Sequence, residues 1–275
     1  MTEYTNIIAA DDLARILDRC TVLDCRSQLG DVDWGREQYE KGHIKGALYA
    51  HLDSDLADPP NEHGRHPLPS RERFSGCLQK WGIANDTQVV CYDDAGGAYA
   101  ARAWWMLRWM GHTKVAVLDG GLSAWQGDIE TGAGELPAPA SFKPGTPLTR
   151  LIDVETLVRQ LDSPTPPILV DARARARWAG EHEPIDPVAG HIPGAHCYPF
   201  QDNLDAAGRF KPAAELRTRF NAPGSTVVCY CGSGVTAAHN ILAMHIAGLP
   251  EPALYADSWS GWITDPARPV ETASQ

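Results

Sequence analysis

Cys231 heads the run Cys231-Gly232-Ser233-Gly234-Val235-Thr236, which follows the apolar segment Thr226-Val227-Val228-Cys229-Tyr230 and precedes a helix-forming stretch. Gly232 and Gly234 let the main chain turn tightly enough for successive N–H groups to converge on one point. The following helix adds the positive end of its dipole there. Both effects favour negative charge, so the pattern predicts a thiolate that acts as a nucleophile, and hence covalent catalysis at sulfur. The main chain of Gly232, Gly234, Val235 and Thr236 is then expected to cradle an anionic substrate.

Cysteine is also among the most frequently buried residue types, and most free cysteines only pack. Cys20, Cys25, Cys77, Cys91, Cys197 and Cys229 lie in apolar or strand-like contexts without a glycine loop and are read as structural. Strand alternation puts Cys229 on the same side as Cys231, which leaves a local disulfide between them open.

The elements that must carry this loop come in two copies. Val22-Leu23-Asp24-Cys25-Arg26 is echoed by Leu169-Val170-Asp171-Ala172-Arg173, and Gly42-His43-Ile44-Lys45-Gly46-Ala47 by Gly190-His191-Ile192-Pro193-Gly194-Ala195. Val89-Val90-Cys91-Tyr92 returns as Val227-Val228-Cys229-Tyr230, and Ser123-Ala124-Trp125 as Ser260-Gly261-Trp262. The same landmarks in the same order predict a duplicated domain. We expect a first domain at 1–130, a linker rich in Gly, Pro and Ala at 131–149, and a second, catalytic domain at 150–275.

In each half, short apolar or β-branched runs alternate with helix-like stretches, the pattern of an α/β fold with a parallel sheet flanked by helices on both faces. Strands are expected at 21–23, 88–92 and 114–118, then at 168–170, 226–230 and 253–255. Helices are expected at 10–20, 71–81, 98–110, 154–161, 213–220 and 235–247. In such sheets the loops after the strands' carboxyl ends gather on one edge and form the binding site, which is where Cys231 falls.

Duplication separates fold from function, because a residue present in both halves is explained by the shared fold. Aligning the VVCY runs puts Asp93 at the position of Cys231, so the first half lacks the nucleophile. His43 and His191 occur in both halves and are read as ordering a turn; Asp24 with Arg26, and Asp171 with Arg173, are read as strand-end ion pairs. Arg177 has Gly30 as its counterpart, which points to anion binding, with a solvated surface arginine as the competing reading.

The chain has 275 residues and a formal charge of −11, which argues against nucleic acid or an anionic membrane as the main partner. No stretch approaches membrane-spanning length. The start, Met1-Thr2-Glu3-Tyr4, has neither a basic segment nor an apolar run, so a cytoplasmic location is expected. Seven cysteines without framework spacing or a CxxC pair imply neither disulfides nor a metal. His239 and His245 are six apart, off a common helix face, and no metal or other cofactor is expected.

Two halves, a GHI-x-GA motif in each, a Gly-rich loop headed by Cys in the second alone, and a Trp near each end closely resemble the tandem-domain rhodaneses, over nearly the whole chain. The resemblance implies two rhodanese-like domains, each with a parallel five-stranded sheet, the first catalytically silent. Cys231 would take a sulfane sulfur from a small anionic donor, hold it as a persulfide, and pass it to cyanide, a thiol or reduced thioredoxin. Members using 3-mercaptopyruvate typically read CGSGVT, as residues 231–236 do, whereas thiosulfate enzymes typically carry basic residues after the Cys.

The resemblance further implies that Ser233 works with a His and an Asp of the first half; the matching positions are His66 and Asp53, with His63 and His51 as alternatives to His66. Arg177 matches the family's first carboxylate-binding arginine. The second, expected after Glu-Pro, is Ile185 in Glu183-Pro184-Ile185-Asp186. One lost charge-assisted contact costs about 1.5–3 kcal/mol of anion binding, and Arg173 or Arg175 are candidates to replace it.

Two other readings remain open. Dual-specificity phosphatases also use a Cys-headed anion loop, but need an arginine six residues on, where this chain has Ala237. A non-catalytic interaction module fits the first half.

Overall fold

The computed structural model describes residues 3–220 and 226–273. It divides into two compact units, neither contiguous in sequence. Unit 1 holds the chain up to Asp58, Leu68–Leu148 and Asp205–Phe210; unit 2 holds Pro59–Pro67, Thr149–Leu204 and the chain from Lys211.

Unit 1 contains strands β1 (Ile7–Ile8), β2 (Cys20–Asp24), β3 (His43–Ile44), β4 (Leu48–Tyr49), β5 (Gln88–Tyr92), β6 (Val115–Leu118) and β7 (Ile129–Glu130). Its helices are α1 (Ala10–Ile16), α2 (Trp34–Lys41), α3 (Arg71–Lys80), α4 (Ala100–Trp109) and α5 (Gly121–Ala124). Unit 2 contains β8 (Arg150–Ile152), β9 (Ile168–Asp171), β10 (His196–Cys197), β11 (Val227–Tyr230) and β12 (Ala253–Tyr255). Its helices are α6 (Val154–Leu161), α7 (Arg175–Ala179), α8 (Ala213–Arg219), α9 (Ala237–Ile246) and α10 (Ser258–Trp262).

Each unit is built on a five-stranded sheet, in the order β1-β6-β5-β2-β4 in unit 1 and β10-β9-β11-β12-β8 in unit 2. Every pairing within these sheets is parallel. Burial on both faces explains the near-continuous apolar strands: Val89, Val90, Cys91 and Tyr92 of β5 are buried, as are Val228, Cys229 and Tyr230 of β11.

The six strand and six helix expectations each meet an element, with ends shifted by a few residues. The largest shift is at 10–20, where α1 stops at Ile16, a 3-10 turn spans Leu17–Arg19, and Cys20 already opens β2. The two-residue strands and short helices such as α7 and α10 were too short to leave a period in the sequence.

The stretch 131–149 has no regular element but is laid along unit 1. Gly132 N donates to Glu40 O, Ala140 N to Gln79 O and Gly145 N to Met110 O, and Phe142 is buried. The paired strand-end ions are present in both units. Arg26 grips Asp24 and donates to Gly42 O, and Arg173 grips Asp171 and donates to Gly190 O, each over 2.6–2.7 Å through Nη2. His43 Nδ1 lies 2.8 Å from Tyr39 O, and His191 Nδ1 2.7 Å from Trp178 O, so both order the turn before a strand.

Candidate active site

Cys231 directly follows β11 and is 2% exposed. Its carbonyl accepts from Trp259 N at 3.0 Å and its N–H donates to Ser258 Oγ at 3.0 Å, which ties the start of the loop to α10. Gly234 sits at φ 76°, in the left-handed region, and a Cβ there would lie 2.3 Å from Ala256 O. Only glycine fits both demands.

The loop in unit 1 shows where such a turn aims its amides. Asp93 Oδ1 accepts from Ala95 N and Gly97 N, and Oδ2 from Tyr99 N and Ala100 N, all at 2.8–2.9 Å. The two loops match in detail: Gly96 at φ 67° answers Gly234, Gly121 at φ 58° answers Ser258 at φ 55°, and Leu122 N donates to Asp93 O as Trp259 N does to Cys231 O. The first cradle is therefore filled by the protein's own carboxylate. The positions in unit 2 that correspond to those four amides are Ser233, Val235, Ala237 and Ala238, and there Ala238 N donates to Val235 O at 3.2 Å.

Ser233 and His66, 4% and 7% exposed, are joined by a hydrogen bond of 2.7 Å between Oγ and Nδ1. His66 belongs to unit 2 through the Pro59–Pro67 segment. The other candidate histidines are engaged elsewhere: His63 Nδ1 lies 3.1 Å from Asp257 Oδ2, and His51 Nδ1 accepts from Asp53 N at 3.1 Å. Asp53 belongs to unit 1.

Arg177 is neither free nor a solvated surface group. Its Nε donates to both oxygens of Glu183 at 3.0 Å, and its Nη2 to Asp186 Oδ2 at 2.9 Å. Burial opposes ionisation of Glu183. The Arg177 hydrogen bonds and charge, with the amides of Asp186 and Ile185, outweigh it and hold the carboxyl below its ordinary range.

The two arginines considered as replacements at Ile185 have contacts elsewhere. Arg173 is committed to Asp171 and lies over the Trp259 ring at 4.7 Å, and Arg175 lies over the Trp178 ring at 5.7 Å. A residue that the sequence did not single out joins Arg177 at Asp186. Arg65 donates through Nε to Asp186 Oδ1 at 3.0 Å and through Nη2 to Oδ2 at 3.2 Å. A Cβ on Gly232 would lie 2.7 Å from Arg65 Nη2 and 3.5 Å from Arg177 Nη1 and Nη2, so two guanidinium groups stand beside the residue that follows the nucleophile.

All seven cysteines are free thiols, and the Cys229–Cys231 disulfide left open by strand alternation is not formed. Burial pushes Cys20 up to about 12 and Cys197 up to about 11, and also raises Cys77 and Cys229. Cys25 is raised by its hydrogen bond with Cys91 and by burial. These five thiols are thereby disfavoured as nucleophiles. Among the described residues no group of three or more His, Cys, Asp or Glu could hold a metal, and no helix is long and apolar enough to cross a membrane.

The Rhodanese-like domain model matches residues 9–128 and again 153–265. The chain is 49% identical to a protein named "Probable 3-mercaptopyruvate sulfurtransferase" of Pseudomonas aeruginosa, over 97% of this chain and 98% of that one. It is 37% identical to the thiosulfate sulfurtransferase of Mus musculus, over 83% and 80%. Among solved structures, the 3-mercaptopyruvate sulfurtransferase from Leishmania major superposes with a TM-score of 0.82 at 33% identity, covering 95% of this chain and 76% of that one. With two matched domains and relatives named as sulfurtransferases over nearly its whole length, the chain belongs to the rhodanese-like family as a tandem-domain sulfurtransferase.

Proposed function

We propose that Cys231 takes sulfur from 3-mercaptopyruvate. The Cys231 thiolate attacks the donor sulfur, an S–S bond forms and the C–S bond breaks with its electron pair moving onto carbon. The resulting enolate takes up the proton lost by the donor thiol and leaves as pyruvate, and the outer sulfur stays on Cys231 as a persulfide. A thiolate acceptor, reduced thioredoxin or cyanide then attacks that outer sulfur and returns Cys231 to its starting state.

The observation that carries this reading is the buried Ser233–His66 pair, two residues from the nucleophile. A keto acid donor has a carbonyl to polarise and a carbon to protonate, tasks suited to a hydroxyl backed by an imidazole, whereas thiosulfate has neither. Asp53 is assigned to the same proton-handling set by resemblance. Arg177 and the main chain of Gly232, Gly234, Val235 and Thr236 take the anionic parts of the donor.

Thiosulfate is the second reading, favoured by the two guanidinium groups beside Gly232, which suit a dianion. Phosphoryl transfer is disfavoured, because the position six residues after the cysteine is Ala237, fully buried and uncharged. Seven free thiols suit a reducing compartment such as the cytoplasm.

The deciding measurement is kcat/KM for both donors on wild type and Ser233→Ala, with intact mass after donor exposure. We expect one added sulfur on Cys231, and a loss of about 100-fold with mercaptopyruvate against a few-fold with thiosulfate. Equal losses with the two donors would reject the role of Ser233, and no sulfur on Cys231 would reject the enzyme.

A further inference from the structure

We infer that Arg65 supplies the second cationic contact to the donor's carboxylate, in place of the side chain that Ile185 does not provide. The inference rests on the mercaptopyruvate reading and adds to it a specificity-determining residue from a different part of the sequence.

Four observations meet at this residue. First, Arg65 is brought to the loop by a built connection. Its N–H donates to Ser260 Oγ at 3.1 Å, and Ser260 N donates to Gly232 O at 2.9 Å, so one serine fixes both Arg65 and the residue after the nucleophile. Gly64, at φ 102°, allows this approach, because a Cβ there would lie 2.5 Å from Ser260 Oγ.

Second, Asp186 holds Arg65 and Arg177 side by side. Its carboxylate is 2% exposed and accepts from Arg65 Nε and Nη2 and from Arg177 Nη2. A carboxylate that grips one edge of a guanidinium leaves the other edge to donate.

Third, both outer edges are available. Neither Arg65 Nη1 nor Arg177 Nη1 has a hydrogen-bond partner among the described residues, and the side chains keep 25% and 16% of their exposure. Fourth, Gly232 leaves the space: a side chain at this position would run into Arg65 Nη2. Where thiosulfate enzymes place a basic side chain within the loop, this chain has a glycine and brings its cation in from outside.

Ile185 does not enter this cluster through its side chain, which is 41% exposed; its N–H donates to Glu183 Oε1 and helps to hold the carboxylate that grips Arg177. The Asp186 that follows it orients Arg65. The cation is thus restored with the neighbouring acidic residue as its anchor.

The test loads sulfur onto Cys231 of the full chain in single turnovers, read by intact mass, from 3-mercaptopyruvate and from mercaptoacetone. Mercaptoacetone keeps the thiol and the ketone but lacks the carboxylate. In Arg65→Gln, loading from subsaturating mercaptopyruvate is expected to slow by about tenfold or more, and from mercaptoacetone by less than about twofold. Adding Ile185→Arg to Arg65→Gln should recover most of the loss, which a merely misfolded variant would not do.

Equal slowing with both donors, an unchanged rate with mercaptopyruvate, or no recovery in the double variant would overturn the assignment of Arg65. Failure of the underlying reading looks different: the wild type itself would load from thiosulfate and not from mercaptopyruvate.

Discussion

Ser258 pays for a backbone angle that its counterpart Gly121 adopts freely. Both sit in the left-handed region, at φ 55° and 58°, where a residue with a Cβ costs about 1–2 kcal/mol. Its hydroxyl gives the reason: Oγ accepts from Cys231 N and donates to Tyr255 O, each at 3.0 Å, so it orients the residue that carries the nucleophile. Ser258→Gly is therefore expected to cost no more than about 2 kcal/mol of global stability, because relief of the backbone offsets part of the two lost hydrogen bonds. The same variant should slow alkylation of Cys231 by iodoacetamide several-fold. Urea midpoints measured beside alkylation rates check both halves. A clear loss of stability with unchanged alkylation would reject the positioning role.

At the scale of the element, one turn has been put to two uses. In unit 1 it wraps Asp93 and satisfies four amides internally; in unit 2 it presents Cys231. The two glycines of the second loop differ in kind, and substitution should separate them. Gly234→Ala needs a Cβ at φ 76° and 2.3 Å from the main-chain oxygen of Ala256, so the loop must open, and sulfur loading should be lost together with about 2–4 kcal/mol of stability. Gly232→Ala has no left-handed angle and meets the end of a flexible arginine, so the fold should hold while KM for the donor rises. Equal losses of stability in the two variants would contradict this distinction. The loop was legible because its determinants are local: a cysteine, two glycines, a preceding apolar strand and a following helix. Arg65 was not, because its role depends on contacts with Asp186 and Ser260, 121 and 195 positions away, and a lone arginine in a polar loop carries no period or motif. The departure at Ile185 was visible, but its replacement was sought among the neighbours Arg173 and Arg175, whose guanidinium groups prove to lie over tryptophan rings.

For the whole molecule, the duplication was readable because paired landmarks recur in order, and with it the two parallel sheets. The exchange of short segments was not, since Pro59–Pro67 has no regular strand or helix and its membership is decided by tertiary contacts. That exchange has a functional consequence. Every strand of the second sheet lies between Arg150 and Tyr255, so a fragment from Thr149 onward retains the sheet, the loop and Cys231. It lacks His66 and Arg65, and with them the hydrogen bonds to Ser233, Asp186 and Ser260. We expect a fragment that folds, as judged by cooperative unfolding, to be alkylated at Cys231 but to load sulfur from mercaptopyruvate at least about 100-fold more slowly than the full chain. The full chain with Arg65→Gln and His66→Ala should reproduce most of that loss while keeping unit 1 intact. A folded fragment as active as the full chain would show that the Pro59–Pro67 segment adds nothing to the chemistry. A fully active double variant beside an inactive fragment would move the cause from those two side chains to other residues of the first 148.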